Sequence, residues 1–161
     1  MAWAILGAGG GREMVGGGRI ARAMDEVTYK SELRDVDWEE MKATLAADAF
    51  DNGRTPEQLR RSFENSHATR IAYVGGRIVG TARVLSDGVC NAYVVDVWTY
   101  TPHRRRGVAQ AMIQSLLAGL RGQHVYLFTD DVVEFYQRLG FVERPTGLER
   151  VVGRWLENEG Q

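Results

Sequence analysis

Arg104-Arg105-Arg106-Gly107-Val108-Ala109 is the segment of this chain best equipped for chemistry. It follows an apolar run, Ala92 to Tyr100, and opens a helical pattern that continues from Gly107 to Leu120. A strand that turns into a helix gathers several unpartnered backbone N–H groups at one point, and the helix dipole adds positive potential there. Guanidinium groups suit phosphate oxygens. Gly107 and Ala109 are small enough to let the backbone approach a bulky polyphosphate. With Gln110 in the first helical turn, these residues form a candidate pyrophosphate site. An arginine run alone is more often a solvated patch, but a patch requires neither the apolar strand before it nor the small-residue helix start after it.

Asp96 is the second residue with chemical potential. It interrupts Val94-Val95-Asp96-Val97-Trp98, and a carboxylate within an apolar strand is costly unless it is paired or functional. Two roles are open to it: a general base that faces a substrate, or a group whose ion pair or backbone bond fixes the neighbouring loop. No other general base stands out. His67 and His124 sit at element edges, His103 lies in the arginine turn, and Asp130 and Asp131 suit the cap of the helix that follows them.

The elements that must position these groups alternate. Tyr29 to Leu33 suits a short strand. Asp37 with Glu40 makes a capping box for a helix carrying Trp38, Met41 and Leu45 on one face, ended by Asn52-Gly53. Thr55-Pro56 starts a second helix. Thr69 to Val74 and Arg77 to Leu85 flank Gly75-Gly76 as a hairpin. Ala92 to Tyr100 is a central strand, Val125 to Phe128 a buried strand, Asp131 to Leu139 a helix, and Phe141 onward a last strand or hairpin. A right-handed crossover lays Val125 to Phe128 parallel to Ala92 to Tyr100. The result is a mixed α/β domain over residues 27–161. Residues 1–26 are glycine-rich, lack apolar periodicity and suit a flexible tail that folding and activity do not need; Met24 offers an alternative start. The run Gly7-Ala8-Gly9-Gly10-Gly11-Arg12 imitates a dinucleotide-binding glycine turn, but it lacks the third glycine and a following helical stripe.

The pattern Arg104-x-x-Gly107-x-Ala109 resembles the acetyl-CoA loop of the GCN5-related N-acetyltransferases, the GNAT family. Phe135-Tyr136-x-x-x-Gly140-Phe141, one helix and one strand downstream, is similar to a second element of that family. The likeness extends over roughly Tyr29 to Val152. It implies an acyl-CoA N-acyltransferase fold: a mixed sheet, flanked by helices, in which two parallel strands splay apart. It also implies acetyl-CoA as co-substrate, with its pantetheine arm pairing near Val97, Trp98 and Thr99 and its pyrophosphate on Arg104, Arg105, Arg106, Gly107, Val108, Ala109 and Gln110. Tyr136 takes the place of the family's general acid. Packing against Phe135 and Phe141 is the alternative role for that ring. Where the family has a proline three residues before the leading Arg, this chain has Thr101, and Pro102 one step later.

Composition narrows the partners. At 161 residues the chain can bury one sizeable core, and 44% hydrophobic with 25% charged residues is ordinary for a globular protein. A net charge of −1 argues against nucleic acid as a partner. The single cysteine, Cys90, reads as a semi-buried hydrophobe beside a turn and offers neither an intramolecular disulfide nor a metal cluster; no metal is expected. No apolar run reaches the length of a membrane span, and the cytoplasm is the default compartment. The expectation is therefore an N-acetyltransferase that moves acetyl directly from acetyl-CoA to a small-molecule or peptide primary amine. The alternative is a sensor or subunit of the same fold that binds acetyl-CoA without turnover. A homodimer is open, and Asp48, Asp51, Asp96 and Glu143 could attract a cationic amine.

Overall fold

The computed structural model describes residues 26–144 and 147–157. The expected tail, apart from Glu26, lies outside them. One sheet runs in chain order through β1 (Thr28–Lys30), β2 (Ala68–Val74), β3 (Arg77–Ser86), β4 (Asn91–Thr99) and β5 (His124–Tyr126). The first four strands are antiparallel, and β5 is parallel to β4. Gly75 and Gly76 turn β2 into β3 with φ of +56° and +83°, the left-handed geometry that a two-residue hairpin needs. Helices α1 (Trp38–Ala47) and α2 (Pro56–Glu64) cover one face. There Met41, Leu45, Leu59 and Phe63 pack on Ile71, Tyr73, Ile78 and Trp98. The opposite face is covered by α3 (Val108–Leu117), whose Val108, Met112 and Leu116 pack on Ala72, Val79, Ala82 and Val94. A short helix, α4 (Val133–Arg138), follows β5. None of the described helices is long and apolar enough to cross a membrane.

The helix starts follow local chemistry. Asp37 accepts the Glu40 N–H at 2.8 Å, although the Glu40 carboxylate turns to Arg77, 3.9 Å away, instead of closing the box. The full capping box belongs to α2, where Thr55 and Gln58 exchange bonds of 3.1 and 2.9 Å.

Several expectations are corrected. Helix α1 ends at Ala47, before Asn52-Gly53: Ala49 adopts φ +56°, and the Phe50 N–H bonds to Leu45 O at 2.9 Å. This is a Schellman closure with Phe50 folded back on the helix. Cys90 is exposed, because Asp87 draws the Val89, Cys90 and Asn91 N–H groups into a tight surface turn. Val125 to Phe128 is not a buried strand. It is the last strand in the described order, so one edge is open, and Tyr126 and Phe128 are exposed. Helix α4 has no side-chain cap from Asp130 or Asp131; instead Thr129 Oγ1 accepts the Val132 N–H at 3.3 Å. The described residues after Phe141 hold no strand.

Two features of the sheet shape the site. Pairing between β4 and β5 stops at Tyr93 with Tyr126, while β4 runs on through Val94 to Thr99. The parallel strands therefore part, as the resemblance implies. Opposite β3, β4 carries an extra residue: Thr81 faces Trp98 and Arg83 faces Val95. The surplus is absorbed at Asp96, whose φ is +52° and whose carbonyl accepts Thr81 Oγ1 at 3.0 Å. A bulge of this kind turns a side chain out of the normal alternation.

Gly80 sets the spacing of α3 from the sheet. A Cβ there would lie 3.1 Å from Met112 Cε, 3.1 Å from Trp98 O and 3.2 Å from Val108 Cγ1. Because part of that wall is backbone, Gly80→Val should lower the urea-unfolding stability by about 1–3 kcal/mol through overpacking. An unchanged midpoint would show that α3 can move away at no cost.

Candidate active site

Between β4 and α3 the chain makes a 3₁₀ turn, Thr101–His103, with Pro102 inside it. Arg104 follows, and its side chain points inward. The guanidinium donates to Thr99 O at 2.9 Å and to Asp48 Oδ2 at 2.9 Å. Both members of this ion pair are buried, with side chains 8% and 6% exposed. Asp48, which caps the C-terminus of α1, also accepts Trp98 Nε1 at 2.8 Å and the Thr101 N–H at 3.2 Å. The first arginine of the run thus anchors the turn, and its guanidinium is already engaged.

The remainder of the turn faces out. Arg105 and Arg106 are exposed, Arg105 has φ +60°, and Gly107 has φ +79°. Helix α3 has no side-chain cap, and its first bond runs from the Ala111 N–H to Gly107 O at 2.9 Å. The Val108, Ala109 and Gln110 N–H groups therefore lack helical acceptors. No atom lies within 4 Å of a Cβ built on Gly107. Open space, free N–H groups, the positive end of a helix dipole and two exposed guanidinium groups meet here, which is the chemistry an anionic polyphosphate fits.

The strand residues divide between the faces. Val97 is half-buried against the α3 cluster, and Trp98 lies in the α1–α2 core. Thr99 is buried, and its Oγ1 is a buried polar atom with no hydrogen-bond partner among the described residues. A buried hydroxyl left without a partner is costly.

Tyr136 is buried on α4, 4% exposed, with ring centroids 5.0 Å from Phe135 and 5.8 Å from Phe141. Among the described residues no hydrogen bond holds its hydroxyl. Burial, and secondarily the Asp131 charge, raises the phenol above its ordinary value, so it keeps its proton throughout the neutral range.

Asp96 sits on the other side of β4. Its Oδ2 is 2.5 Å from Arg83 Nε and 2.7 Å from Arg54 Nη2. Burial works against its charge, but the two guanidinium groups outweigh it and hold the carboxyl below the usual range. The ion pair is the role this geometry displays. These three residues line a cavity of about 450 Å³ between α2, β3, β4 and the C-terminal segment. That segment is docked by Trp155 Nε1 on Asn52 O at 3.0 Å and by Gln58 Nε2 on Leu156 O at 3.2 Å. Of the acids expected to attract an amine, Asp48 is paired with Arg104 and Asp51 with Lys42. Glu143 is exposed and does not line the cavity. Sequence reasoning missed Arg54, Arg61 and Arg83 as site residues. An arginine inside the apolar strand Arg77–Ser86 was the one available signal.

Comparison with known proteins places the chain in a family and a fold. The model of the acetyltransferase (GNAT) family matches residues 31–141. A serotonin N-acetyltransferase 2, chloroplastic, of Oryza sativa subsp. japonica is 35% identical over 103 residues, 59% of this chain and 52% of that protein. A histone acetyltransferase of Glycine max is 31% identical over 127 residues, 76% of this chain and 53% of the relative. The chain spans about half the length of these relatives. An acetyltransferase of the GNAT family from Streptococcus pneumoniae TIGR4 superposes with a TM-score of 0.66 at 23% identity, over 80% of this chain and all of that one, and shares the fold. The chain therefore belongs to the GNAT family of acetyl-CoA-dependent N-acetyltransferases.

Asp96→Asn should cost about 3–5 kcal/mol, because it strands two buried guanidinium groups. The folded carboxyl is held below its unfolded value, so this stability is present above about pH 4 and is lost as pH falls through the folded value. Urea titrations of both proteins at neutral and acid pH check this. A stability gap that does not narrow in acid would contradict the assignment.

Proposed function

We propose that the chain transfers the acetyl group of acetyl-CoA directly to a primary amine. The observation that carries this reading is the uncapped start of α3 beneath open space at Gly107, at the end of a strand that leaves its parallel neighbour. The pyrophosphate lies on the N–H groups of Gly107, Val108, Ala109 and Gln110, with Arg105 and Arg106 as flanking charges. Arg104 acts by holding the turn through Asp48 and Thr99. The pantetheine arm follows the unpaired edge of β4 along Val97, Trp98 and Thr99, where Thr99 Oγ1 is a free donor. The acceptor amine comes from the cavity beside Asp96. The neutral amine nitrogen attacks the thioester carbon, the C–S bond breaks, and the thiolate takes the phenolic proton of Tyr136; the proton lost from nitrogen passes through water and restores the phenol. The place of Tyr136 in Phe135-Tyr136-x-x-x-Gly140-Phe141 supports this role; burial keeps the phenol protonated but makes it a weaker acid, so the role requires the thiolate to be a strong base at the moment of transfer. A reducing compartment such as the cytoplasm suits the exposed thiol of Cys90. A sensor that binds acetyl-CoA without turnover is the alternative. Thiol release across an amine panel that includes serotonin and a histone peptide separates the two.

Two substitutions test the reading. Gly107→Val should nearly abolish acetyl-CoA binding in calorimetry, since a side chain would fill the space above the turn; unchanged affinity would remove the turn from the site. Tyr136→Phe keeps the ring and its packing but loses the proton. Acetyl-CoA affinity and stability should hold while kcat falls by about 10²–10⁴. Wild-type turnover with chemistry rate-limiting would make Tyr136 a packing residue.

A further inference from the structure

The cavity beside Asp96 has an unusual charge balance. Arg54, Arg61 and Arg83 line it, and among the described residues Asp96 is the one carboxylate in the lining. In its floor, the side chains of Arg54 and Arg83 are only 9% and 12% exposed, and both close on the same oxygen, Asp96 Oδ2. Two buried positive charges thus share one negative charge. The remaining bonds of these arginines go to neutral groups: Arg54 to Asn52 Oδ1 and Ser62 Oγ, and Arg83 to Ser62 O and Ser66 Oγ. These neutral partners satisfy the donors without cancelling the charge. A buried excess charge is expensive unless a counter-ion completes it.

Among the described residues, Asp51 acts on Arg54 only as a secondary charge, and the other surrounding acids are engaged elsewhere. Glu57 and Glu64 of α2 turn to Arg60, Asp51 to Lys42, and Glu157 to Arg154. The exposed Glu149 acts on Tyr93 from outside the lining. Arg61, at the exposed rim, makes no ion pair among the described residues. It stands one residue before Ser62, on the α2 turn that faces the cavity. The amides of Asn52 and Asn65 and the rings of Tyr93 and Trp155 also line the cavity.

We infer that the acceptor is an amine that also carries an acid group, a carboxylate or a phosphate, which Arg61 receives above the Arg54–Asp96–Arg83 floor. This rests on the reading of the cavity as the acceptor site. It reverses the expectation of an acidic pocket for a simple cationic amine, because the acids counted for that purpose are already paired and the uncompensated charge in the lining is positive. The negative group supplies the charge that the floor lacks, while the neutral apolar side of the cavity takes the rest of the acceptor. The planar guanidinium fork suits either anion.

The test uses the full chain saturated with CoA and calorimetry on matched pairs: tryptophan against tryptamine, tyrosine against tyramine, histidine against histamine, and phosphoethanolamine against ethanolamine. The acid-bearing member of at least one pair should bind ~10-fold more tightly or better. Preference in the amino-acid pairs identifies a carboxylate, and preference in the last pair a phosphate. Arg61→Ala should erase the preference without lowering the melting temperature, and Arg61→Lys should restore part of it. No preference in any pair, or a preference that survives Arg61→Ala, overturns the inference. Thiol release measured on the same pairs is read separately: its absence with every amine would count against the transferase reading, whereas the binding comparison would stand.

Discussion

The buried pair of Asp48 and Arg104 is the constraint on which the rest of this site depends. Burying either charge alone would cost several kcal/mol. Here the carboxylate accepts from the Trp98 indole, the Thr101 backbone and the guanidinium, and the guanidinium also satisfies Thr99 O. One node therefore ties the end of α1, the end of β4 and the start of the anion turn together. With that corner held, Arg105 and Gly107 can adopt left-handed conformations without the turn collapsing. The uncapped N–H groups of α3 then stay directed at open space. The three consecutive arginines have separate duties: the first is structural, and the other two are available to a ligand.

The same strand organises both sides of the site. β4 leaves β5 after Tyr93, which frees backbone along its edge. It also bulges at Asp96, which moves that carboxylate to the α2 side, between Arg83 and Arg54. Without the extra residue, the alternation of the strand would carry Asp96 elsewhere. Gly80 allows α3 to sit close enough that its first turn meets the end of this strand. Close packing and backbone irregularity, rather than extra loops, bring the anion turn and the arginine-lined cavity to opposite faces of one strand.

The family's fold supports many acceptors, so the fold itself says little about which amine is used. The cavity of this chain is built in large part by the α1–α2 connection, by α2 and by the C-terminal segment that Asn52 and Gln58 hold in place. Those segments carry Arg54, Arg61 and Trp155, and they supply the charge and the shape of the cavity.

Much of the architecture was legible in the residues alone. Glycine pairs, caps and apolar periods are local signals, so the β2–β3 hairpin, the start of α2 at Thr55-Pro56 and the strand–turn–helix around Gly107 follow from neighbours a few positions apart. The family motifs are equally local, and they marked the anion turn and Tyr136. Other features depended on partners distant in sequence. Helix α1 ends at Ala47, ahead of Asn52-Gly53, and the residues just past its end, Asp48 and Phe50, have tertiary partners in Arg104 and Trp98. The described residues after Phe141 form no strand; instead Trp155 and Leu156 dock on Asn52 and Gln58, partners about a hundred positions away. Above all, no local rule couples Asp96 to Arg54 and Arg83, 42 and 13 positions away by their numbers in the chain. Charge pairing across a sheet is set by register and by one bulge. The sequence by itself determined which segments could bind an anion and donate a proton; only the tertiary structure decided which charges were left uncompensated, because that depends on which side chains are buried together.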